Sequence, residues 1–131
     1  MKAQRVIIQT DKAPAAVGPY SQAVKHQSLV FASGQLPVDP QTGELISTHF
    51  EAQVRQVLNN LEAVLLAAGA SLDSVLKLTV FMTDLNYFSV LNNVFSEYFP
   101  KYPPARSTIQ VNRLPKDVMV EIEAVAIVVT E

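Results

Sequence analysis

The sequence predicts an α+β fold, one β-sheet carrying two helices. Three observations point there: β-rich and helical-period segments follow one another in the order β, ββ, α, β, α, ββ; two segments repeat apolar residues at helical spacing; and the chain closes on a long β-branched run, Val118 to Val129. Arg5 to Gln9, "RVIIQ", reads as a short strand, and "KAPAAVGPYSQ" then supplies Pro14, Gly18 and Pro19 as loop punctuation. "AVKH" and "LVFASGQL" read as a hairpin turning at Gln27 and Ser28, and "PVDPQTGEL" is turn chemistry throughout. The first helix is expected to begin at "THFE", where Thr48 and Glu51 have capping-box spacing, and to stop at Gly69. Phe50, Val54, Val57, Leu58, Leu61 and Leu65 line one side of it, and burying each contributes roughly 1.5 to 3 kcal/mol before entropy, so the helix needs a partner surface. Ser74 to Met82 reads as a strand. "DLNYFSVLNNVFSEYF" is the second helix, with Asn86 as the expected N-cap and Phe88, Leu91, Phe95, Tyr98 and Phe99 on one side. The prolines of "KYPPA" end it. "RSTIQV" is a strand, "NRLPKD" a turn, and the C-terminal run the last strand.

Composition limits what such a domain can do. The 131 residues fit a single domain, 1–131, with 49% hydrophobic residues and no low-complexity run. The first apolar run, Val6 to Ile8, is too short for a secretory signal and no stretch has the length of a membrane span, so a cytoplasmic protein without membrane contact is expected. Zero cysteines exclude disulfides, thiolate nucleophiles and Cys-ligated metals. A net charge of −2 with no basic run does not favour nucleic acid as partner. His26 and His49 are the only histidines and fall in different elements, which weakens metal and Ser-His-Asp chemistry, and four scattered glycines form no phosphate loop.

In the C-terminal strand, Val118, Val120, Ile122, Ala124, Ala126 and Val128 share one parity, while Met119, Val125, Ile127 and Val129 share the other. Apolar residues on both sides mark a sheet buried on both faces. Two helices cover one face at most, so the expected cover for the other is a second subunit; helices straddling the sheet are the alternative. Glu121 and Glu123 lie on the odd side. An unpaired buried carboxylate costs several kcal/mol, so each must reach water, an edge or a cation, or stay protonated.

Other residues stand out by type and place. Arg106 follows the rigid "PPA" and opens a strand, a position from which a planar guanidinium can capture a carboxylate with two hydrogen bonds or simply end a strand at the surface. Asn92 falls on the apolar side of the second helix, either as a structural amide or as a polar group aimed into a site. Tyr20 and Ser21 occupy a loop stiffened by Gly18 and Pro19.

The motifs "GPYSQA", "FASGQLPVDPQTGEL", "VFMTDLNYF" and "PPARSTIQVNRLPKDVMVEIEAVAIV" resemble those of the reactive intermediate deaminase family, the RidA subgroup also called YjgF or L-PSP, over nearly the whole chain. The resemblance implies a chorismate-mutase-like sheet with two helices on one face, assembled as a homotrimer with sheets turned inward and sites between subunits. It implies hydrolysis of reactive 2-imino and enamine acids of the 2-aminoacrylate type to 2-oxo acids and ammonia, with no metal or organic cofactor. By motif, Arg106 resembles the arginine that binds the substrate carboxylate and Glu121 the acid that activates water. Tyr20, Ser33, Gly34 and Asn92 resemble pocket residues. Thr108 stands where many members carry cysteine, at a position whose implied role is a backbone N–H contact to the ligand carboxylate. The family's endoribonuclease label makes an RNA-acting translation inhibitor one alternative, and a non-catalytic binder of small carboxylates another.

Overall fold

The computed structural model describes residues 4–129; residues 1–3, the start of the N-terminal stretch read above, lie outside the described residues. Strands β1 (Val6–Ile8), β2 (Ala23–His26) and β3 (Leu29–Gln35) are followed by helix α1 (Phe50–Ala67) and strand β4 (Val75–Met82). Helix α2 (Phe88–Tyr98), β5 (Ala105–Gln110) and β6 (Val120–Ile127) complete the chain. One six-stranded sheet results, in the order β1-β2-β3-β6-β4-β5. Every pairing is antiparallel except β4 with β5, whose parallel alignment needs the crossover that α2 provides. The expected order of elements and the hairpin turn at Gln27 and Ser28 are present, Gln27 taking the left-handed φ of +54° that the tight connection demands. Among the described residues no helix is long and apolar enough to cross a membrane.

Both helices lie on one face. The six apolar residues expected to line α1 are all buried, and they meet the even-numbered side chains of β6: Val120, Ile122, Ala124 and Ala126 are buried as well. Leu78, Val80 and Met82 of β4 complete that layer. The alternative of helices straddling the sheet is therefore excluded. Gly69 ends α1 as expected: at φ +85° it sends its N–H to Leu66 O while the Ala70 N–H reaches Leu65 O, the paired bonds of a Schellman cap.

Two expected helix starts differ. No capping box forms at Thr48 and Glu51; His49 is the N-cap without a side-chain bond, and Glu51 instead pairs with Arg55 at 3.0 Å. The entry to α1 is held from elsewhere: Gln53 Nε2 donates to Ser47 O at 2.9 Å, and Gln53 Oε1 accepts the Met119 N–H at 2.8 Å, tying the helix start to the approach of β6. Asn86 is not the cap of α2 either. Its backbone N–H donates to Asp84 Oδ1 at 2.9 Å, so Asp84 caps a single 3₁₀ turn, Leu85–Tyr87, that runs into α2. Phe88, expected on the buried side, is exposed.

Buried amides brace the loops between strands. Asn60 Nδ2 donates to Leu36 O and Val38 O, each at 2.9 Å. Gln22 accepts the Thr10 N–H at 2.7 Å and donates to Thr10 O at 3.0 Å and Pro14 O at 2.8 Å, fixing the loop that precedes Tyr20. Leaving a buried carbonyl or N–H without its partner costs about 1 to 3 kcal/mol, so these few side chains hold loops that have almost no core of their own.

The other face carries no helix. Ile7, Phe31, Phe81, Ile109, Val125 and Ile127 all project from it, Phe31 and Ile109 at 49% and 44% exposure. Glu121 and Glu123 lie on the same face. Glu123 is exposed opposite Thr79 in the middle of the sheet, so of the outcomes open to it, it reaches water rather than an edge or, among the described residues, a cation.

Candidate active site

The residues singled out by sequence fall into two groups on opposite faces. The first surrounds Glu121, where a cavity of about 700 Å³ is lined by Tyr20, Ser33, Gly34 and the carboxylate itself, walled by Pro14 to Val17 and by Pro115 and Lys116. A register shift between Ala32 and Gln35 carries β3 past β6 here, bringing Gly34 against Glu121. A β-carbon at Gly34 would lie 2.8 Å from Glu121 Cδ, so only glycine leaves room for this carboxylate. Ser33 is pinned by its N–H to Gln22 O at 2.9 Å and by its hydroxyl, which donates to Ser21 O at 2.6 Å. The Tyr20 hydroxyl accepts the Val17 N–H at 3.3 Å, while its ring stays largely exposed.

Glu121 is half-buried and has no hydrogen-bond or ion-pair partner among the described residues. Burial, and next the nearby negative charge of Glu123, push its carboxyl above the ordinary glutamate range. A carboxylate whose affinity for a proton is raised toward neutrality is suited to take a proton from water and return it.

The second group surrounds Arg106 on the helix-covered face. A cavity of about 320 Å³ is lined by Arg106, Asn92, Phe95, Phe99, Pro103 and Pro104, among others. The guanidinium carbon lies 5.3 Å from the Phe88 ring centroid and 5.2 Å from that of Phe95. Exposed Phe88 thus serves as a platform for the cation. No carboxylate meets Arg106 among the described residues, and burial alone shifts its pKa downward; an arginine nonetheless keeps its charge, so the cavity presents an uncompensated planar cation. Asn92 is half-buried, with no side-chain hydrogen bond among the described residues, and faces this cavity. Thr108, two residues past Arg106 on the same face, lines neither cavity; its Oγ1 is buried with no hydrogen-bond partner among the described residues.

Register shows why one chain does not unite the groups. Glu121 is paired with Phe81, which is paired with Ile109, and Arg106 lies three residues before Ile109. Two strand spacings and three residues put the two backbones about 14 Å apart, with side chains pointing to opposite faces. The cavities share no lining residue. Sequence reasoning missed Gln22 and Asn60, which hold Pro14, Leu36 and Val38 in the wall of the Glu121 cavity, and Gln53, which ties the start of α1 to the approach of β6; Gln53 and Asn60 gave a signal in falling on the apolar side of α1.

Comparison with known proteins agrees with this fold. The family model described as Endoribonuclease L-PSP matches residues 10–128. TdcF of Escherichia coli, named as a reactive intermediate deaminase, is 50% identical over 124 residues, covering 92% of this chain and 95% of TdcF. A RutC family protein of Pyrococcus horikoshii is also 50% identical, over 120 residues that cover 92% of this chain and 95% of that protein. Among solved structures, RidA from an Antarctic Psychrobacter superposes with a TM-score of 0.91 at 51% identity, covering 94% of this chain and 99% of that one. E. coli TdcF with bound serine superposes with a TM-score of 0.89 at 49% identity, over 93% and 98% of the two chains. With a family match over most of its length and relatives at about half identity, the chain belongs to the L-PSP family, also called RidA and YjgF.

Proposed function

We propose that this protein hydrolyses 2-imino acids and their enamine tautomers, of the 2-aminoacrylate type, to 2-oxo acids and ammonia, with 2-iminobutanoate and 2-iminopropanoate as substrates. The observation that carries this reading is the pair of unmatched charges: a guanidinium in an aromatic-walled cavity and a carboxylate with raised proton affinity in another, neither with an ion-pair partner among the described residues. The names of the relatives support the same chemistry, and serine, the ligand held by TdcF, carries the carboxylate and the nitrogen on Cα that an imino acid also has.

Since the two groups lie on opposite faces of one chain, the complete site is assembled by bringing the Arg106 cavity of one subunit against the Glu121 cavity of its neighbour. The apolar helix-free face supplies the surface for that association, and a homotrimer with three such sites is the assembly the reading adopts. Arg106 binds the substrate carboxylate through two parallel N–H groups, with Asn92 and the Thr108 backbone N–H beside it. Tyr20, Ser33 and Gly34 shape the pocket around the reacting carbon. An enamine first gains a proton from solvent at its terminal carbon and becomes the iminium, the protonated and electrophilic form of the imine. Glu121 then takes a proton from a water molecule as the water oxygen bonds to C2 and the C=N π pair moves to nitrogen, giving a neutral carbinolamine. Return of that proton to nitrogen makes it a leaving group; the C–N pair departs with ammonia while the hydroxyl oxygen forms C=O and passes its proton to Glu121, which hands it to the ammonia, leaving ammonium and the 2-oxo acid. No metal or organic cofactor is required by this sequence of steps. The setting is a cytoplasmic one in which pyridoxal-phosphate dehydratases release such enamines.

RNA cleavage is less well supported by the geometry. His26 Nδ1 lies 2.6 Å from Gln4 O at the hairpin and His49 is the N-cap of α1; neither lines the Glu121 cavity or the Arg106 cavity. To test the deaminase reading, a serine or threonine dehydratase is coupled to the protein and disappearance of the imine is followed. The expected result is a rate that rises in proportion to added protein. Decay that proceeds at the uncatalysed rate at every protein concentration would overturn the assignment.

A further inference from the structure

Two side chains stand apart from the other exposed apolar residues. Tyr102 is 95% exposed and Val17 is 83% exposed, whereas the remaining large apolar side chains on the surface of the described residues reach no more than 59%. Single exposed apolar residues are ordinary, but these two occupy matching places. Tyr102 precedes Pro103 and Pro104, which line the Arg106 cavity, and Val17 lines the Glu121 cavity.

Both stand on a constrained backbone. Tyr102 takes a left-handed φ of +51°, a conformation residues other than glycine keep only where the surroundings fix it, and the two prolines after it limit the alternatives. Val17 precedes Gly18, at φ +129°, and Pro19, and its N–H is bound to the Tyr20 hydroxyl. Tyrosine is among the residue types that most often anchor an interface.

We infer that Tyr102 of one subunit meets Val17 of the neighbouring subunit when the two cavities join, and that this contact closes the assembled site over the substrate. The inference rests on the shared-site reading above. A second copy of this chain is the occupant because the charges are complementary: Arg106 in one cavity and Glu121 in the other each lack an ion-pair partner among the described residues. Val17 is part of one cavity's wall and Tyr102 directly precedes Pro103 and Pro104 in the wall of the other, so joining the cavities brings the two segments together. Their contact shields the substrate carboxylate and Arg106 from bulk water, which strengthens the attraction between them.

The test is a double-mutant cycle on imine hydrolysis, with Tyr102→Ala, Val17→Ala and the double variant, each measured at concentrations where light scattering shows the assembled oligomer. Each single substitution is expected to lower kcat/KM by about tenfold, and the double variant by about the same amount, because either change alone removes the contact. Losses that multiply toward a hundredfold, or single variants that are fully active once assembled, would overturn the inference. Co-expression of Arg106→Ala and Glu121→Gln chains separates the two levels. Recovered activity together with multiplying losses overturns only the closing contact, while no recovery overturns the shared site and this inference with it.

Discussion

Replacing Arg106 with alanine is expected to lower kcat/KM for 2-iminopropanoate by at least about thirtyfold, the equivalent of roughly 2 kcal/mol for a lost charge-assisted double hydrogen bond. The cation has no anionic partner among the described residues, so its removal strands no buried carboxylate there. What is lost from the fold is its position over Phe88 and Phe95, worth about 0.5 to 1 kcal/mol for each ring at a partly exposed site. A small change in unfolding midpoint beside a large loss of activity is therefore the expected pattern. Arg106→Lys keeps the charge without the planar fork and is expected to recover only a minor part of the loss. Unchanged kinetics in Arg106→Ala would mean that the guanidinium does not hold the substrate.

Glu121→Gln is expected to reduce kcat by about a hundredfold or more while leaving the oligomer intact, because an amide fills the space beside Gly34 but cannot take a proton from water. The raised proton affinity of Glu121 also fixes the sign of a stability effect. An acid whose folded pKa is raised favours the fold fully below its unfolded pKa, and that contribution is lost as pH rises through the folded pKa. Ionised Glu121 is thus a burden on the fold at neutral pH. Glu121→Gln is accordingly expected to unfold at a higher temperature than the unaltered protein at neutral pH, with the difference closing as pH falls below the ordinary glutamate range of about 4.3. Activity of the unaltered protein should fall as pH drops through the same raised pKa, since the protonated carboxyl is no base. Dissociation of the variant oligomer, measured by light scattering, would show that the residue is structural.

Side-chain periodicity made much of this legible in advance. Phe50, Val54, Val57, Leu58, Leu61 and Leu65 recur at helical spacing, and all six are buried because nothing but packing decides their place. Gly69 was readable as the stop of α1 because its left-handed conformation is a local property. Helix starts were less readable. The motif at Thr48 and Glu51 is local, but the bonds that fix the start of α1 come from Gln53, which reaches Ser47 and, far along the chain, Met119. At α2 two neighbouring residues compete for one role, and Asp84 rather than Asn86 accepts the bond. Parity placed Glu121 and Glu123 on one face and did so correctly, yet it could not distinguish them. The distinction depends on the register shift in β3 that sets Gly34 against Glu121, and such a shift has no signature in strand parity. For the candidate site, motifs named residues that the fold then divides between two faces, and spacing along the chain carries no information on which face of a neighbour each will meet.

The claim that one site is built from two subunits can be measured directly by co-expressing Arg106→Ala and Glu121→Gln chains in equal amounts and purifying the mixed oligomers. Each variant alone is expected to be nearly inactive. If each site takes Arg106 from one subunit and Glu121 from the next, random mixing restores both residues at about one interface in four, whatever the ring size. The account predicts about a quarter of the imine-hydrolysing activity of the unaltered protein. Mixed oligomers no more active than the parent variants would contradict it, and would place both residues' functions within a single chain.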